Sequence, residues 1–131
     1  MTFNEVEQRY LAQVPRGRLA TVAPDGSPQN KPVGFEVDAE HGTIDIHGFG
    51  MAGSAKFRNV ERNPAVSFVV DDAIGEGAAN MRFLEIRGRA EQVRDGDREN
   101  WFIRIRPRRL LAFNIDPDRP GMHARDVEAG R

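Results

Sequence analysis

Ser54 and Lys56 close a run of small residues, Gly48-Phe49-Gly50-Met51-Ala52-Gly53-Ser54, and the residues after them can continue as a helix. That order suits the capture of an anion. Glycines let a ligand come near the backbone, the free N–H groups of a helix's first turn attract negative charge, and a serine there adds a hydroxyl. Lys56 in that first turn opposes the helix macrodipole, a conflict of about 0.3–1 kcal/mol that a bound phosphate would remove. On these residues alone a plain turn with Lys56 in water fits equally well. Lys56 still stands out, because it and Lys31 are the only lysines among 19 basic residues.

A second feature is the crowding of nine arginines against five acids between Arg82 and Arg109. Arg87 and Arg89 share the polar side of one strand, where they line either a groove for an anion or a solvated face relieved by Glu85 and Glu91. Other chemistries find no support. His41, His47 and His123 lack the spacing that puts two imidazoles on one helix face. Ser27, Ser54 and Ser67 sit in no nucleophile elbow, and the chain carries no Walker A motif. Cysteine is absent, which excludes disulfides, a thiolate nucleophile and sulfur-ligated metals. Redox chemistry would need a borrowed cofactor.

At 131 residues and net charge −1 the chain reads as one domain, residues 1–131, with enough apolar residues (39%) for a single core. Near-neutral charge and the lack of interleaved stacking aromatics argue against nucleic acid. No apolar run approaches a membrane span and the N-terminus carries acids where a secretory signal would be basic, so a cytoplasmic protein is expected.

The elements that must position these residues follow from the hydrophobic pattern. Thr2 and Glu5 fit a capping box for a helix running to about Val14, with Phe3, Val6, Tyr10 and Leu11 on one face and Pro15 as the stop. Leu19 to Ala23 reads as a strand, Pro24-Asp25-Gly26-Ser27 as a turn, and Gln29 to Val37 as the returning strand, with Pro32 marking an edge or bulge. Thr43 to Gly48 is a third strand, and Ser54 caps a helix from Ala55 to Asn63 that Pro64 ends. Val66 to Asp71 is a fourth strand, Asp72 to Asn80 a mobile loop, and Leu84 to Ala90 a cleanly alternating fifth strand. Trp101 to Ile105 and a basic run lead to a sixth strand, Leu110 to Ile115, before a charged tail over residues 116–131. The class expected is mainly β, a small antiparallel barrel with short helices.

Three stretches taken in order resemble a known family: Gly17-Arg18-Leu19-Ala20-Thr21-Val22 with Pro24-Asp25-Gly26-Ser27-Pro28-Gln29, then Lys56-Phe57-Arg58-Asn59-Val60 with Asn63-Pro64, then Val66-Ser67-Phe68-Val69-Val70-Asp71. Together they are similar to the pyridoxamine 5′-phosphate oxidase-like split β-barrels, and most of all to the actinobacterial branch that uses the deazaflavin coenzyme F-420 in place of FMN. The resemblance runs to about Ile115. It implies a six-stranded antiparallel Greek-key split barrel of the FMN-binding type and a homodimer with two cofactor sites across the subunit interface. It further implies that Gln29, Asn30, Lys31, Pro32 and Val33 border the flavin-like ring. Ser54 and Lys56 match the phosphate-binding helix start, with Arg58 and Asn59 beside them, and the partner's Arg106 to Phe113 region approaches the cofactor. Many relatives carry an arginine where Ser54 stands, which shifts the phosphate grip toward Lys56 and the backbone.

The activity implied is hydride transfer between coenzyme F-420 and a small organic acceptor, with the protein binding the cofactor and orienting the acceptor. The alternatives are an FMN-dependent oxidase or reductase, and a barrel that binds a cofactor or tetrapyrrole without turnover. If a side chain supplies a proton, His47 and Tyr10 are the candidates.

Overall fold

Helix α1 spans Glu5–Gln13 in the computed structural model, which describes residues 2–96 and 100–128. Its N-cap is Asn4: the Asn4 side chain accepts from the Glu7 amide and Glu7 accepts from the Asn4 amide, both at 2.8 Å. The expected Thr2–Glu5 box is therefore displaced by two residues. Both pairs have the same spacing, but the Thr2 hydroxyl donates to the Glu128 carbonyl at 3.0 Å and is not available as a cap. Phe3, Tyr10 and Leu11 turn inward and are nearly fully buried.

Strands β1 (Gly17–Val22) and β2 (Pro28–Val33) form the expected hairpin, in register from Gly17 opposite Val33 to Val22 opposite Pro28. Asp25 holds the turn by accepting from the Ser27 amide and hydroxyl. The return expected as one strand to Val37 breaks at Gly34-Phe35, and β3 (Glu36–Asp38) then pairs with β4 (Thr43–Ile46). A one-turn 3-10 helix at Met51–Gly53 leads into α2, Ala55–Arg62, capped by Ser54 as the sequence indicates.

The second half is more continuous than its sequence suggests. Strand β5 covers Ala65–Ala73, β6 Met81–Asp95, β7 Asn100–Phe113 and β8 Met122–Asp126. The expected Asp72 to Asn80 loop is shortened by the end of β5 and by a 3-10 turn at Ala78–Asn80. The two segments expected around Arg106–Arg109 are a single strand. Pro107 is accommodated because the register shifts there: Gly88 faces Pro107 and Arg87 faces Arg109, leaving Arg108 as the extra residue of a β-bulge. Any Cβ at Gly88 would overlap the Arg106 carbonyl, so the bulge requires glycine. The charged segment expected as a tail supplies β8, which pairs with β7 from Arg109–Asp126 to Phe113–Met122.

The strands form one antiparallel sheet in the order β2-β1-β5-β6-β7-β4-β3, with β8 added to β7, eight strands where six were expected. Its two ends, β2 and β3, are consecutive in sequence. Only Gly34 and Phe35 separate them, and three peptide steps reach about 11 Å at most, so the sheet must be rolled. Ends that meet without pairing make it a split barrel. Leu19, Ile44, Ile46, Phe68, Val70, Leu84, Ile86, Ile103, Ile105 and Leu110 fill its interior, each at most 1% exposed. At about 25 cal/mol per Å² such apolar burial is the main drive to this shape.

Candidate functional site

Helix α2 and the edge strand β2 are joined by one buried side chain. Asn59, 3% exposed, points its amide at the Thr21 hydroxyl (3.0 Å) and the Gln29 side-chain carbonyl (2.8 Å). This fixes the helix against the hairpin and holds Gln29 at the seam. Gln92 of β6 donates to the Phe57 carbonyl at 2.9 Å, and Phe57 meets Trp101 edge to face with centroids 5.8 Å apart. The helix is thus held from both sides, and its start is positioned rather than free.

At that start Ser54 accepts from the Phe57 amide (3.4 Å) and its hydroxyl donates to the Met51 carbonyl (2.7 Å). Arg58 reaches back over the turn and donates to the Gly53 carbonyl at 2.7 Å, which brings a guanidinium to the helix N-terminus. Ala55 and Lys56 open the helix, so their amides have no intrahelical acceptor. Lys56 is half-buried and has no carboxylate partner among the described residues. The Arg58 guanidinium, the orphan amides and the helix dipole meet there, with Lys56 in the same first turn, and they fit a phosphate.

On β2, Gln29, Lys31 and Val33 face the same way as Thr21, Leu19 and Gly17 opposite them, while Asn30 and Pro32 lie on the other face opposite Ala20 and Arg18. Gln29 to Pro32 are exposed and Val33 is buried, as expected for an edge strand that leaves the barrel at one end. Nine of the ten residues singled out by sequence thus lie on β2 or at the start and middle of α2. Phe113 does not. It stacks on Phe83 (5.6 Å between centroids) on the β6 half far from Gln92, which touches α2, a separation along the strand of roughly 30 Å.

The two candidate proton donors also stand apart. Tyr10 is buried, donating to Asp72 (2.9 Å) and the Arg82 carbonyl (3.1 Å), and burial with the Asp72 bond pushes its hydroxyl pKa up. His47 stacks on Phe102 at 4.6 Å beside Glu36. Sequence reasoning missed Thr21 and Gln92, which anchor α2. Alternation with Leu19 along β1 buries Thr21, but no local signal connects it to a residue 38 positions away.

A family model for pyridoxamine 5′-phosphate oxidase matches residues 3–129. The chain belongs to the pyridoxamine 5′-phosphate oxidase family. It is 44% identical over 136 residues to the 5a,11a-dehydrotetracycline/5a,11a-dehydrooxytetracycline reductase of Streptomyces rimosus subsp. rimosus, covering 98% of this chain and 96% of that protein. Among solved structures it is similar to an F-420 reductase at 27% identity and TM-score 0.57, over 76% of this chain and 91% of that one. A Listeria innocua protein provisionally classed as a pyridoxamine 5′-phosphate oxidase aligns at 25% identity and TM-score 0.63, over 84% and 99%. The chain is an oxidoreductase on the split-barrel fold of this family. No helix among the described residues is long and apolar enough to cross a membrane.

Proposed function

We propose that this protein reduces a small polycyclic organic acceptor with a hydride carried by the deazaflavin coenzyme F-420, acting as a homodimer. The observation that carries the reading is the first turn of α2, with its orphan amides, Lys56 and the Arg58 guanidinium, beside an exposed strand edge pinned through Asn59 and Gln29. Reduction of an unsaturated polycycle is the activity named for the Streptomyces relative, which shares almost the whole length of this chain. When bound, the coenzyme supplies the hydride. The chain's own part is to bind and orient. Lys56 and Arg58 hold the phosphate, and β2 presents Asn30, Lys31 and Pro32 along the ring edge. The distant Phe113 serves the partner subunit's site, which is why it lies so far from α2 in its own chain.

Titration with coenzyme F-420 and, separately, FMN, followed by Trp101 and cofactor fluorescence, tests this. Tight binding of the deazaflavin alone is expected, and preference for FMN would move the protein to the FMN-dependent oxidases. In Lys56→Ala the binding should weaken by roughly 1.5–3 kcal/mol, the worth of a charged hydrogen bond. Unchanged affinity removes Lys56 from the phosphate site.

A further inference from the structure

A shallow groove of about 440 Å³, wide open to solvent, lies on the outer face of the sheet, floored by Ala20 and Val22 of β1, Ala65 and Ser67 of β5 and Gly88 of β6. Its floor is almost wholly apolar. The charged side chains lining it are Arg87 and Arg108, and no carboxylate lines it. Glu85 stands at its edge, accepting from Ser67 (2.8 Å) and pairing with Arg87 (2.8 Å).

The bulge explains why cations crowd this face. In an unbroken strand Arg108 and Arg109 would point to opposite sides, one of them into the barrel. The extra residue releases Arg108 to the outside, where it is exposed, while Arg109 stays outward opposite Arg87 and pairs with Asp126 at 2.7 Å. Arg106 nearby pairs with Glu91 at 2.9 Å. Arg89 and Arg108 have no carboxylate partner among the described residues. A second groove that shares Arg108 also carries Glu91, Asp126 and Glu128, so the excess of positive charge belongs to the first.

Volume, apolar floor and few convergent polar groups are the attributes of a small-molecule seat. The groove also adjoins the cofactor-site residues: Thr21 and Pro28 line it, Thr21 accepts the Asn59 amide, and Pro28 directly precedes Gln29. We propose that it binds a planar, largely apolar organic anion, the body lying on Ala20, Val22 and Ala65 and the negative group meeting Arg108. Resting on the reductase reading above, this molecule is the acceptor, and the acceptor is an acid.

The test uses 8-anilinonaphthalene-1-sulfonate and its uncharged analogue N-phenyl-1-naphthylamine, titrated fluorimetrically into the full chain without cofactor. Arg108→Ala should weaken binding of the sulfonate about tenfold and leave the uncharged probe within about twofold, as expected for loss of one charged contact. Ala65→Phe, an outward position that fills the groove, should weaken both. Unchanged sulfonate affinity in Arg108→Ala, or no effect of Ala65→Phe, overturns the proposal. So does a wild-type protein that binds neither probe and becomes monomeric in Ala65→Phe, because the groove is then a contact between copies. Deazaflavin titration is read separately: its failure with intact probe behaviour removes the coenzyme F-420 reading and leaves the anion groove standing.

Discussion

Asn59 shows how one buried side chain carries a site. Its amide serves two acceptors from a position with almost no access to water, so nothing from solvent replaces it. Asn59→Ala should cost about 1–3 kcal/mol in urea unfolding, by leaving Thr21 and Gln29 without their donor. It should also weaken cofactor binding, since β2 loses its tie to α2. A stability loss with cofactor affinity intact would make Asn59 purely structural. The cap at Ser54 was legible because its determinants are adjacent in the chain. The role of Asn59 was legible only through the family resemblance, since Thr21 and Gln29 come to it through the hairpin.

Among the elements, α1 and the β7 bulge depend on different physics. Asn4→Ala removes half of a reciprocal cap and should lower stability by about 1 kcal/mol, measured as a shift of the denaturation midpoint. Gly88→Ala places a methyl against the Arg106 carbonyl, which the backbone must move to admit, so a loss of about 1–3 kcal/mol is expected. Thermal unfolding of that variant should also report altered packing near Arg108. A substitution without effect would mean that the bulge does not need glycine. Periodicity revealed β6 from Leu84 to Ala90, but it read Pro107 as a break. A proline stops a regular ladder, and only the opposing Gly88 shows that this one sits where the ladder is already interrupted.

For the whole molecule, closure and pH response come from contacts between distant segments. Arg125 on β8 pairs with the buried Glu7 of α1 and donates to the Thr2 carbonyl at 3.0 Å, so the two ends of the chain are joined. Arg125→Ala should destabilise by about 2 kcal/mol, because it strips Glu7 of its cation. The Arg82 guanidinium holds Asp72 below the ordinary carboxylate range, against the opposing effect of burial. Arg87 does the same for Glu85, with Ser67 assisting. Both contribute stability above the unfolded carboxylate pKa of about 4, and it is lost as pH falls through their depressed folded values. Tyr10 acts at the other limit. Its raised pKa favours the neutral phenol, so its contribution is present below about pH 10 and lost above it. Urea midpoints across pH should therefore fall at both extremes, and Tyr10→Phe should abolish the alkaline part. The proposed homodimer should elute at twice the 14.7 kDa chain mass, and elution at the chain mass would remove it.

By itself the sequence determined the class, the first hairpin, and both helices with the Ser54 cap. These depend on local signals: alternation, turn residues, caps and breakers act over a few positions and are written where they act. Tertiary structure alone decided that the two sheet edges meet at Gly34-Phe35, that β6 and β7 run as long continuous strands, and that the charged end of the chain is β8. It alone released Arg108 onto an apolar groove and set Phe113 far from α2. Those outcomes depend on which distant residues face one another once the sheet rolls, and pairing across a rolled sheet is set by packing of the whole barrel.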